Sequence, residues 1–487
     1  MALRTVLSSK IPMVIILGAT GTGKTKLSVE LAQKLETEII SADSMQIYKG
    51  LDVVTAKATR REQEMVKHHL LDILEPHNMF TVVDFRNRAL KIIDNLTDQG
   101  KVPIIVGGTN YYIESIVYRI LVEDMDDPES LLWDKNKRKR DFDDENTDHD
   151  LLEVKRATKD TVPSTSEISS NIGEKVKTEA CLQTEDNTQV LDKEKLKIDI
   201  DNEKNFTNEE IHAKLKEIDP DMAARLHPNN RRKVIRSIEV WLKSGRLHSE
   251  ILAEQKLSEG QLRRPGATVI FWLKCEQTVH DERLNSRVDQ MLEEGLIQEL
   301  LEFHAKHNMQ RIKDGKPPDY TKGIFQTLGF KEFHDYLMLD VEQRDAAEGK
   351  KLLQQSIENM KQSTRRYARR QNKMIRGRFL EHPFREVPPI YELDTTDVAN
   401  WDENVKNKAV HVIDSYIKGS KCDYKPIEVI IDEDKKKIDA NSSNYCNICE
   451  RIIIGDKTYE IHLKSHKHMK VLKKKKRLEE KNKADLQ

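Results

Sequence analysis

The stretch Gly18-Ala19-Thr20-Gly21-Thr22-Gly23-Lys24-Thr25 decides the fold of this chain. It follows the apolar run 13–17 and precedes a helix-like pattern that ends near residue 35. A strand, a glycine-rich loop and a helix in this order predict a phosphate-binding loop, because the glycines let backbone N–H groups face phosphate oxygens. The helix N-terminus and Lys24 add positive charge, and Thr25 offers an oxygen to Mg²⁺. The pattern indicates a diphosphate or a triphosphate, but neither its carrier nor the bond that breaks.

The composition indicates ordered domains separated by disordered segments. The chain has 487 residues, of which 37% are hydrophobic and 34% are charged, so we expect roughly two to four domains. Five cysteines in a chain of this length do not form a disulfide framework. No apolar run approaches the roughly 20 residues that a membrane span needs, so we expect no membrane insertion.

The N-terminus allows two interpretations, a short targeting signal or an ordinary basic N-terminus. Arg4 and Lys10 precede the first acidic residue, Glu30, which favours a mitochondrial presequence, although an ordinary basic N-terminus fits equally well. We expect mitochondrial and cytoplasmic localisation, with a nuclear fraction if the basic run 473–477 acts as a nuclear signal.

Two further strands are predicted to end beside the phosphate loop. The first runs through residues 38–40 into Asp43, and the second runs through residues 102–106 into Gly107-Gly108-Thr109. In open α/β sheets ligands lie beyond the carboxyl ends of strands, although a lone Asp there is more often a cap or turn residue. An ATPase would place an aspartate for Mg²⁺ after such a strand, so the Gly-Gly-Thr sequence weakens an ATPase interpretation.

Two basic helices are candidates for anion binding. A Pro-Asn-Asn turn at 228–230 precedes a helix on which Arg232 and Arg236 lie one turn apart. The helix predicted from about 350 to 378 is the most basic ordered element. Its positions 362, 366, 369, 370 and 373 share one face, as in a track that follows a phosphate backbone. For both helices, a merely solvated charged face is the alternative.

The C-terminal region has the ligand spacing of a zinc finger. Cys446-x2-Cys449 is followed by His462 and then by His466 and His468, either of which could complete the site. Thiolate and imidazole ligands suit tetrahedral Zn²⁺, and a module this small needs its metal to fold. We prefer His468, because its five-residue gap resembles that of zinc fingers that bind double-stranded RNA.

Taken together, the motifs between residues 12 and 378 resemble the tRNA dimethylallyltransferase (tRNA isopentenyltransferase) family. The motifs, which follow the order of that family, are GATGTGKT, SADSMQIYKGLDVVTAK, HHLLDIL, VGGTNYY, ARLHPNNRRKVIRSIEV, GIFQTLGFKEF and RRYARRQNKMI. The finger sequence CNICERIIIGD is similar to that of the animal members.

The resemblance implies that dimethylallyl diphosphate occupies residues 18–25 and that the acceptor is the exocyclic amine of the adenine 3′ of the anticodon. Asp43 would accept a proton from that amine, while Lys24, Thr25 and Mg²⁺ would stabilise the departing diphosphate. Its partners would then be dimethylallyl diphosphate and a tRNA anticodon stem-loop, and we expect a monomer. Together with the basic helices, the resemblance assigns tRNA binding to Asp43, Ser44, Met45, Gln46, Thr109, Arg232, Lys233, Arg236, Gln326, Arg366, Arg369 and Arg370.

The sequence therefore predicts an α/β fold with a P-loop NTPase-like parallel sheet core, a helical insertion domain and a small C-terminal zinc finger. The expected boundaries are 11–118 and 266–400 for the core, 119–265 for the insertion, within which about 123–208 is largely disordered, 401–439 for a linker, and 440–487 for the finger and basic tail.

Two other functions fit parts of the sequence. A P-loop nucleotide or metabolite kinase would use the same loop on ATP, but it leaves the finger and the basic helix unexplained. An RNA-binding protein without turnover would bind tRNA, but the intact Lys24, Thr25 and Asp43 argue against it.

Overall fold

The computed structural model describes residues 11–119, 193–252, 260–315, 320, 323–381, 385–429, 443–449, 451–454 and 456–484. The chain forms two compact units. The described residues of the first unit are 11–119 and those between 260 and 429, and the second unit contains 193–252 and those between 443 and 484. The predicted N-terminal targeting signal and the predicted disordered segment as far as residue 192 lie outside the described residues.

The strands, in chain order, are β1 (Met13–Gly18), β2 (Ile39–Ser41), β3 (His68–His69), β4 (Ile104–Val106), β5 (Thr268–Lys274), β6 (Ile390–Asp394), β7 (Ser443–Cys446) and β8 (Arg451–Ile454). The α-helices are α1 (Lys24–Lys34), α2 (Arg60–Met65), α3 (Val82–Asp98), α4 (Asn110–Val117), α5 (Lys193–Asp201), α6 (Asn208–Ile218), α7 (Pro220–Arg225), α8 (Arg231–Ser244), α9 (Gln277–Glu293), α10 (Leu296–His307), α11 (Met309–Lys313), α12 (His334–Leu337), α13 (Val341–Asp345), α14 (Ala347–Ile375), α15 (Lys408–Lys418), α16 (Asp456–Leu463) and α17 (His466–Ala484). Short 3₁₀ helices span Glu203–Asn205 and Gly323–Gln326, and π-helical turns span Arg376–Leu380 and Asp402–Asn407.

A six-stranded parallel sheet organises the first unit, and its strand order is β3-β2-β4-β1-β5-β6. The central strand β1 is buried along its whole length, with Val14 paired to Ile104 on one side and to Val269 on the other. Strands covered on both faces read as continuous apolar runs, which is why residues 13–17 show no alternation. The predicted parallel α/β core is confirmed.

The two faces of the sheet carry separate apolar clusters. Ile15 and Leu17 pack on the side of α3, where Phe85 and Ala89 are fully buried. Val14 and Ile16 face the opposite side and pack with residues of α1 such as Leu27. Alternate side chains of a strand point to opposite faces, so one central strand supplies both clusters.

Helix α3 begins at Val82, directly after a capping residue, Thr81. Thr81 accepts a hydrogen bond from the N–H of Asp84, and the Asp84 carboxylate accepts one from the N–H of Thr81 at 2.8 Å. This reciprocal capping satisfies two of the backbone donors that every helix N-terminus leaves free, so the cap fixes the start of α3.

The linker predicted over 401–439 is wrong for its first part. Trp401 and Val405 are buried, and Ala409, Val412 and Ile413 of α15 pack with α1 against the sheet. Their spacing is that of an amphipathic helix, and β6, which the sequence analysis missed, supplies the surface that they cover.

The predicted disordered segment also extends too far. Lys193–Asp201 and Glu203–Asn205 are helical, and Leu196 and Ile200 share the apolar core of the second unit with Leu215 and Ile238. Charged residues dominate the composition of this stretch, so its composition does not reveal the narrow apolar stripe of the helix.

The second unit contains helices α5–α8 and the C-terminal module. The predicted Pro-Asn-Asn turn and the helix after it are confirmed, because α8 begins directly after residues 228–230, and α7 precedes them. In the C-terminal module, β7 and β8 form an antiparallel hairpin that α16 and α17 follow. Within the described part of the chain, no helix combines the length and the apolar character needed to cross a bilayer.

Candidate functional site

A cavity of about 570 Å³ lies at the carboxyl edge of the sheet, where β1, β2 and β4 end. This is the position at which open α/β sheets bind ligands. The sequence-predicted residues that line it are Thr20, Gly21, Gly23, Lys24, Thr25, Asp43, Ser44, Met45, Gln46, Gln326 and Arg370.

The phosphate loop turns sharply into α1. Gly23 precedes the helix with φ of 85°, a conformation that favours glycine. Gly18, Ala19 and Thr22 do not line the cavity, and Thr22 Oγ1 donates to the Ala19 carbonyl at 2.9 Å within the turn. The loop therefore presents Thr20, Gly21 and residues 23–25 to the cavity, while Thr22 stabilises the turn.

Lys24 lies at an end of the cavity where positive charges outnumber negative ones. Its Nζ donates to the Ala19 carbonyl at 2.8 Å, and burial together with nearby Arg287 lowers the pKa of Lys24 to about 8, while Asp43 acts in the opposite direction. A bound anion would offset both the burial and the neighbouring cation. The charge at this end of the cavity therefore suits a phosphate group.

Asp43 is held by its own turn. Its Oδ1 accepts hydrogen bonds from the N–H groups of Met45 at 2.9 Å and Gln46 at 3.4 Å. Among the described residues, none donates a hydrogen bond to Oδ2 of Asp43. Burial raises the pKa of Asp43, and the Met45 N–H and the charge of Lys24 oppose that shift. A fixed carboxylate with one free oxygen and a raised pKa can accept a proton near neutral pH.

The neighbours of Asp43 are fixed by side-chain hydrogen bonds. Thr109 does not line the cavity, but its Oγ1 accepts from the N–H of Ser44 at 3.0 Å and donates to Ser44 Oγ at 3.2 Å. Gln46 Nε2 donates to the carbonyls of Thr55 and Ala56 at 3.1 and 3.0 Å. These contacts give Thr109 and Gln46 a role in shaping the turn.

Arg287 on α9 was missed by the sequence analysis. It lines the cavity, and burial lowers its pKa. Among the described residues no carboxylate forms an ion pair with it. Its signal was available, since Arg287 lies one turn from Leu284 and Met291 on the apolar face of the helix, where an arginine is unexpected.

Apolar side chains also line the cavity, and the sequence analysis missed them. They are Val54, Val288, Met291, Leu328 and Met360, and Tyr367 lines the cavity as well. These side chains come from separate elements, so no single stretch of sequence displays them together. The cavity thus combines a cationic end with an apolar surface.

The basic face of α14 is only partly free. Arg370 lines the cavity, Arg366 is exposed, and neither forms an ion pair with a described residue. Arg369 instead pairs with Asp281 of α9, and Lys361 pairs with Asp289 at 2.6 Å. Of the predicted basic track, Arg369 is therefore neutralised by α9, and Lys361 lies outside the track.

The remaining predicted basic residues lie in the second unit. Arg232, Lys233 and Arg236 are exposed on α8, and Arg236 approaches Glu239 at 3.5 Å. They do not belong to the cavity of the first unit.

The C-terminal module brings together Cys446, Cys449, His462 and His468, whose ligand atoms all lie within 4.8 Å of one another. His468 Nδ1 is 3.5 Å from Cys446 Sγ and 3.1 Å from His462 Nε2. Cys446 and both histidines are buried, whereas His466 is exposed. Two sulfur and two imidazole donors at this spacing can hold a metal ion.

The fold and the cavity define the class of protein: a P-loop α/β protein with a cavity suited to a phosphorylated molecule and with a Cys/His module. A family model described as IPP transferase matches residues 46–167 and 175–378. The chain is 38% identical to the mouse tRNA dimethylallyltransferase, with 96% of this chain and 87% of the mouse protein covered. It is also 38% identical to the human tRNA dimethylallyltransferase, with 97% and 88% covered.

A solved structure of a eukaryotic dimethylallyltransferase acting on tRNA is similar over 97% of this chain and 99% of that chain, with a TM-score of 0.65 and 26% identity. The chain belongs to the IPP transferase family.

Proposed function

We propose that this protein transfers a dimethylallyl group from dimethylallyl diphosphate to the exocyclic amine of the adenine 3′ of the anticodon in certain tRNAs, and releases diphosphate. The observation that carries the proposal is a single cavity that joins the phosphate loop to the free oxygen of Asp43. Family membership supports it, as do the names of the relatives.

The donor fits the two ends of the cavity. The diphosphate would bind the N–H groups of the loop, the ammonium of Lys24 and the guanidinium of Arg287, which together supply positive charge. The dimethylallyl group would lie against apolar side chains such as Met291 and Met360. Thr25 lines the cavity and could hold Mg²⁺, which would stabilise negative charge on the departing diphosphate.

The reaction needs one base and one leaving group. The adenine nitrogen attacks the allylic carbon, the bond between that carbon and the diphosphate oxygen breaks, and the electron pair leaves with the diphosphate. The proton of the amine passes to Asp43, whose raised pKa suits a base that works near neutral pH. Lys24 and Arg287 stabilise the charge that develops on the leaving group.

The tRNA would meet the cavity at its basic side. Arg370 and Arg366 supply exposed charge on α14, and Ser44 to Gln46, Gln326 and Arg370 line the cavity that the flipped adenine must enter. Thr109 would act through the turn that it holds. In the second unit, Arg232, Lys233 and Arg236 would contact tRNA phosphates.

The Cys/His module would hold a structural Zn²⁺. Two thiolates and two imidazoles are the donor set that tetrahedral zinc prefers, and their mutual distances are compatible with one central ion. The metal would hold the hairpin to the two helices.

The first test is prenyl transfer from labelled dimethylallyl diphosphate to an anticodon stem-loop, with Mg²⁺ and without ATP. We expect label on the RNA with the wild-type protein, and a loss of about a hundredfold or more with Asp43→Asn. A stem-loop with guanine in place of the target adenine is the matched control and should stay unlabelled.

The melting temperature of Asp43→Asn shows whether a loss of activity comes from the lost base or from misfolding. Because burial raises the pKa of Asp43, its charged form opposes folding at neutral pH, and Asp43→Asn should melt no earlier than the wild type. Absence of label combined with transfer of phosphate from ATP would overturn the proposal and favour the kinase. The glycine pair after β4 speaks against that alternative, because it offers no carboxylate for Mg²⁺.

We further propose mitochondrial and cytoplasmic localisation and a monomeric state. The basic residues Arg4 and Lys10 support the first, and the localisation of a C-terminal fluorescent fusion with and without residues 1–10 tests it. Light scattering of the purified chain tests the second.

A further inference from the structure

Gln371 of α14 contacts two loops at once through its side-chain amide. It is 3% exposed, its Oε1 accepts a hydrogen bond from the N–H of Thr20 at 2.9 Å, and its Nε2 donates to the carbonyl of Gly108 at 3.2 Å. Its main-chain oxygen accepts from Asn110 Nδ2 at 3.4 Å. A single residue therefore connects the phosphate loop after β1 with the loop after β4.

The second of these loops borders Asp43. A Cβ on Gly108 would lie 3.9 Å from Asp43 Oδ2 and only 2.2 Å from Gln371 Nε2. The amide therefore occupies the space that a side chain at position 108 would need. The backbone on which Gln371 rests is the backbone beside the free oxygen of Asp43.

Thr20 is held from a second side as well. The ring of His280 on α9 lies with its Nε2 2.8 Å from the Thr20 carbonyl, and burial lowers the pKa of His280. The neutral ring can donate to that carbonyl, so both main-chain groups of Thr20 have partners outside the loop. Of the two partners, Gln371 is the one that also contacts the loop beside Asp43.

We propose that Gln371 is a positioning residue that fixes the separation between the phosphate loop and Asp43. This inference rests on the proposed function, in which the leaving group lies on the first loop and the base lies beside the second. The reacting atoms of a displacement must be held close to the geometry of attack, and an error of about 1 Å can cost about a hundredfold in rate. Gln371, which also borders the cavity, would set this distance through its hydrogen bonds to the two loops.

The test compares Gln371→Met with Gln355→Met. Methionine keeps the length of the side chain but removes both hydrogen bonds, and Gln355 is an exposed glutamine on the same helix. For Gln371→Met we expect kcat to fall about a hundredfold, while KM for dimethylallyl diphosphate and Kd for the stem-loop change less than about threefold. Gln355→Met should match the wild type.

Gln371→Glu keeps the proposal testable if the methionine variant folds poorly. Glutamate retains an acceptor for the Thr20 N–H but places an oxygen against the Gly108 carbonyl, so kcat should fall here too. The proposal is overturned if kcat stays within about threefold of wild type in a folded variant. It is also overturned if the fall in kcat is accompanied by comparable rises in KM for dimethylallyl diphosphate and in Kd for the stem-loop. Absence of transfer by the wild-type protein would instead reject the proposed function.

Discussion

The phosphate-loop cavity and the Cys/His module reach their geometry by opposite routes. The cavity gathers Lys24, Asp43, Arg287 and Gln371 from four separate parts of the first unit. The module takes its four donors from residues 446–468, within one hairpin and the helices that follow it. Assembly from distant segments requires a complete apolar core to offset the lost chain entropy, whereas a short module can obtain that free energy from a metal. The two sites should therefore respond differently to the same perturbations.

Metal removal should produce the largest difference between them. In a zinc-finger peptide the metal contributes about 10–16 kcal/mol, so a chelator or Cys446→Ser should unfold residues 443–484. The core of the first unit should keep its melting temperature and its KM for dimethylallyl diphosphate. Hydrogen exchange of the full-length protein, read separately for the two units, measures this.

Cys275→Ser is the matched control, because Cys275 lies in the first unit outside the metal cluster. It should leave exchange in the module unchanged. Unchanged protection of residues 443–484 after complete zinc removal would show that the module folds by its own packing, and the contrast between the two sites would disappear.

Substitution of Trp401 tests whether the cavity depends on residues that are distant from it in the sequence. A Cβ on Gly23 would lie 2.8 Å from the Trp401 ring, and the Trp401 indole donates to Glu30 at 2.9 Å. Truncation of a buried tryptophan costs about 3–5 kcal/mol. We expect Trp401→Ala to lower the melting temperature of the first unit and to raise KM for dimethylallyl diphosphate about tenfold, because the end of the phosphate loop loses its support.

Trp241→Ala provides the comparison within the second unit, where Trp241 lies on α8 beside Lys193. It should leave KM for the diphosphate unchanged. If Trp401→Ala lost stability but bound dimethylallyl diphosphate as tightly as wild type, the segment after β6 would be a scaffold element with no influence on the loop.

The same contrast explains what the sequence could predict. The phosphate loop, the cap of α3 and the Cys/His spacing are local patterns, and each could be identified within a short stretch of chain. Gln371 acquires its role only when α14 packs against the loop, so no local pattern names it. Arg287 carries a local signal, its place on the apolar face of α9, but that signal does not show which site the arginine faces. Trp401 was assigned to a linker, because the sequence analysis did not identify β6, which together with α1 provides the surface that buries it.

The pH dependence of binding distinguishes the cavity from an exposed basic patch. The pKa of Lys24 is lowered to about 8, so Lys24 is charged below that pH and loses its proton as the pH rises through it. Above pH 8, kcat/KM for dimethylallyl diphosphate should fall, by about tenfold per pH unit at the limit. Lys24→Arg stays charged throughout and should lack this fall. A wild-type profile that stays flat well above pH 8 would contradict the assigned charge.

The smallest expected effect separates two neighbouring arginines on α14. Arg370 lines the cavity without an ion-pair partner among the described residues, whereas Arg369 is paired with Asp281. A cation that is already paired releases fewer counterions from a nucleic acid. Arg370→Gln should therefore weaken binding of the stem-loop several-fold and reduce the slope of log K against log salt by about 0.7–0.9, and Arg369→Gln should do less.

Titrations of the stem-loop at several salt concentrations measure both quantities, and Asp281→Asn completes the comparison. Removal of the carboxylate frees Arg369, so this variant should bind RNA more tightly and with a steeper salt dependence. Equal losses for Arg369→Gln and Arg370→Gln, with no gain for Asp281→Asn, would mean that RNA displaces Asp281 on binding. In that case α9 would not neutralise the track, and the full basic face of α14 would be available to phosphates.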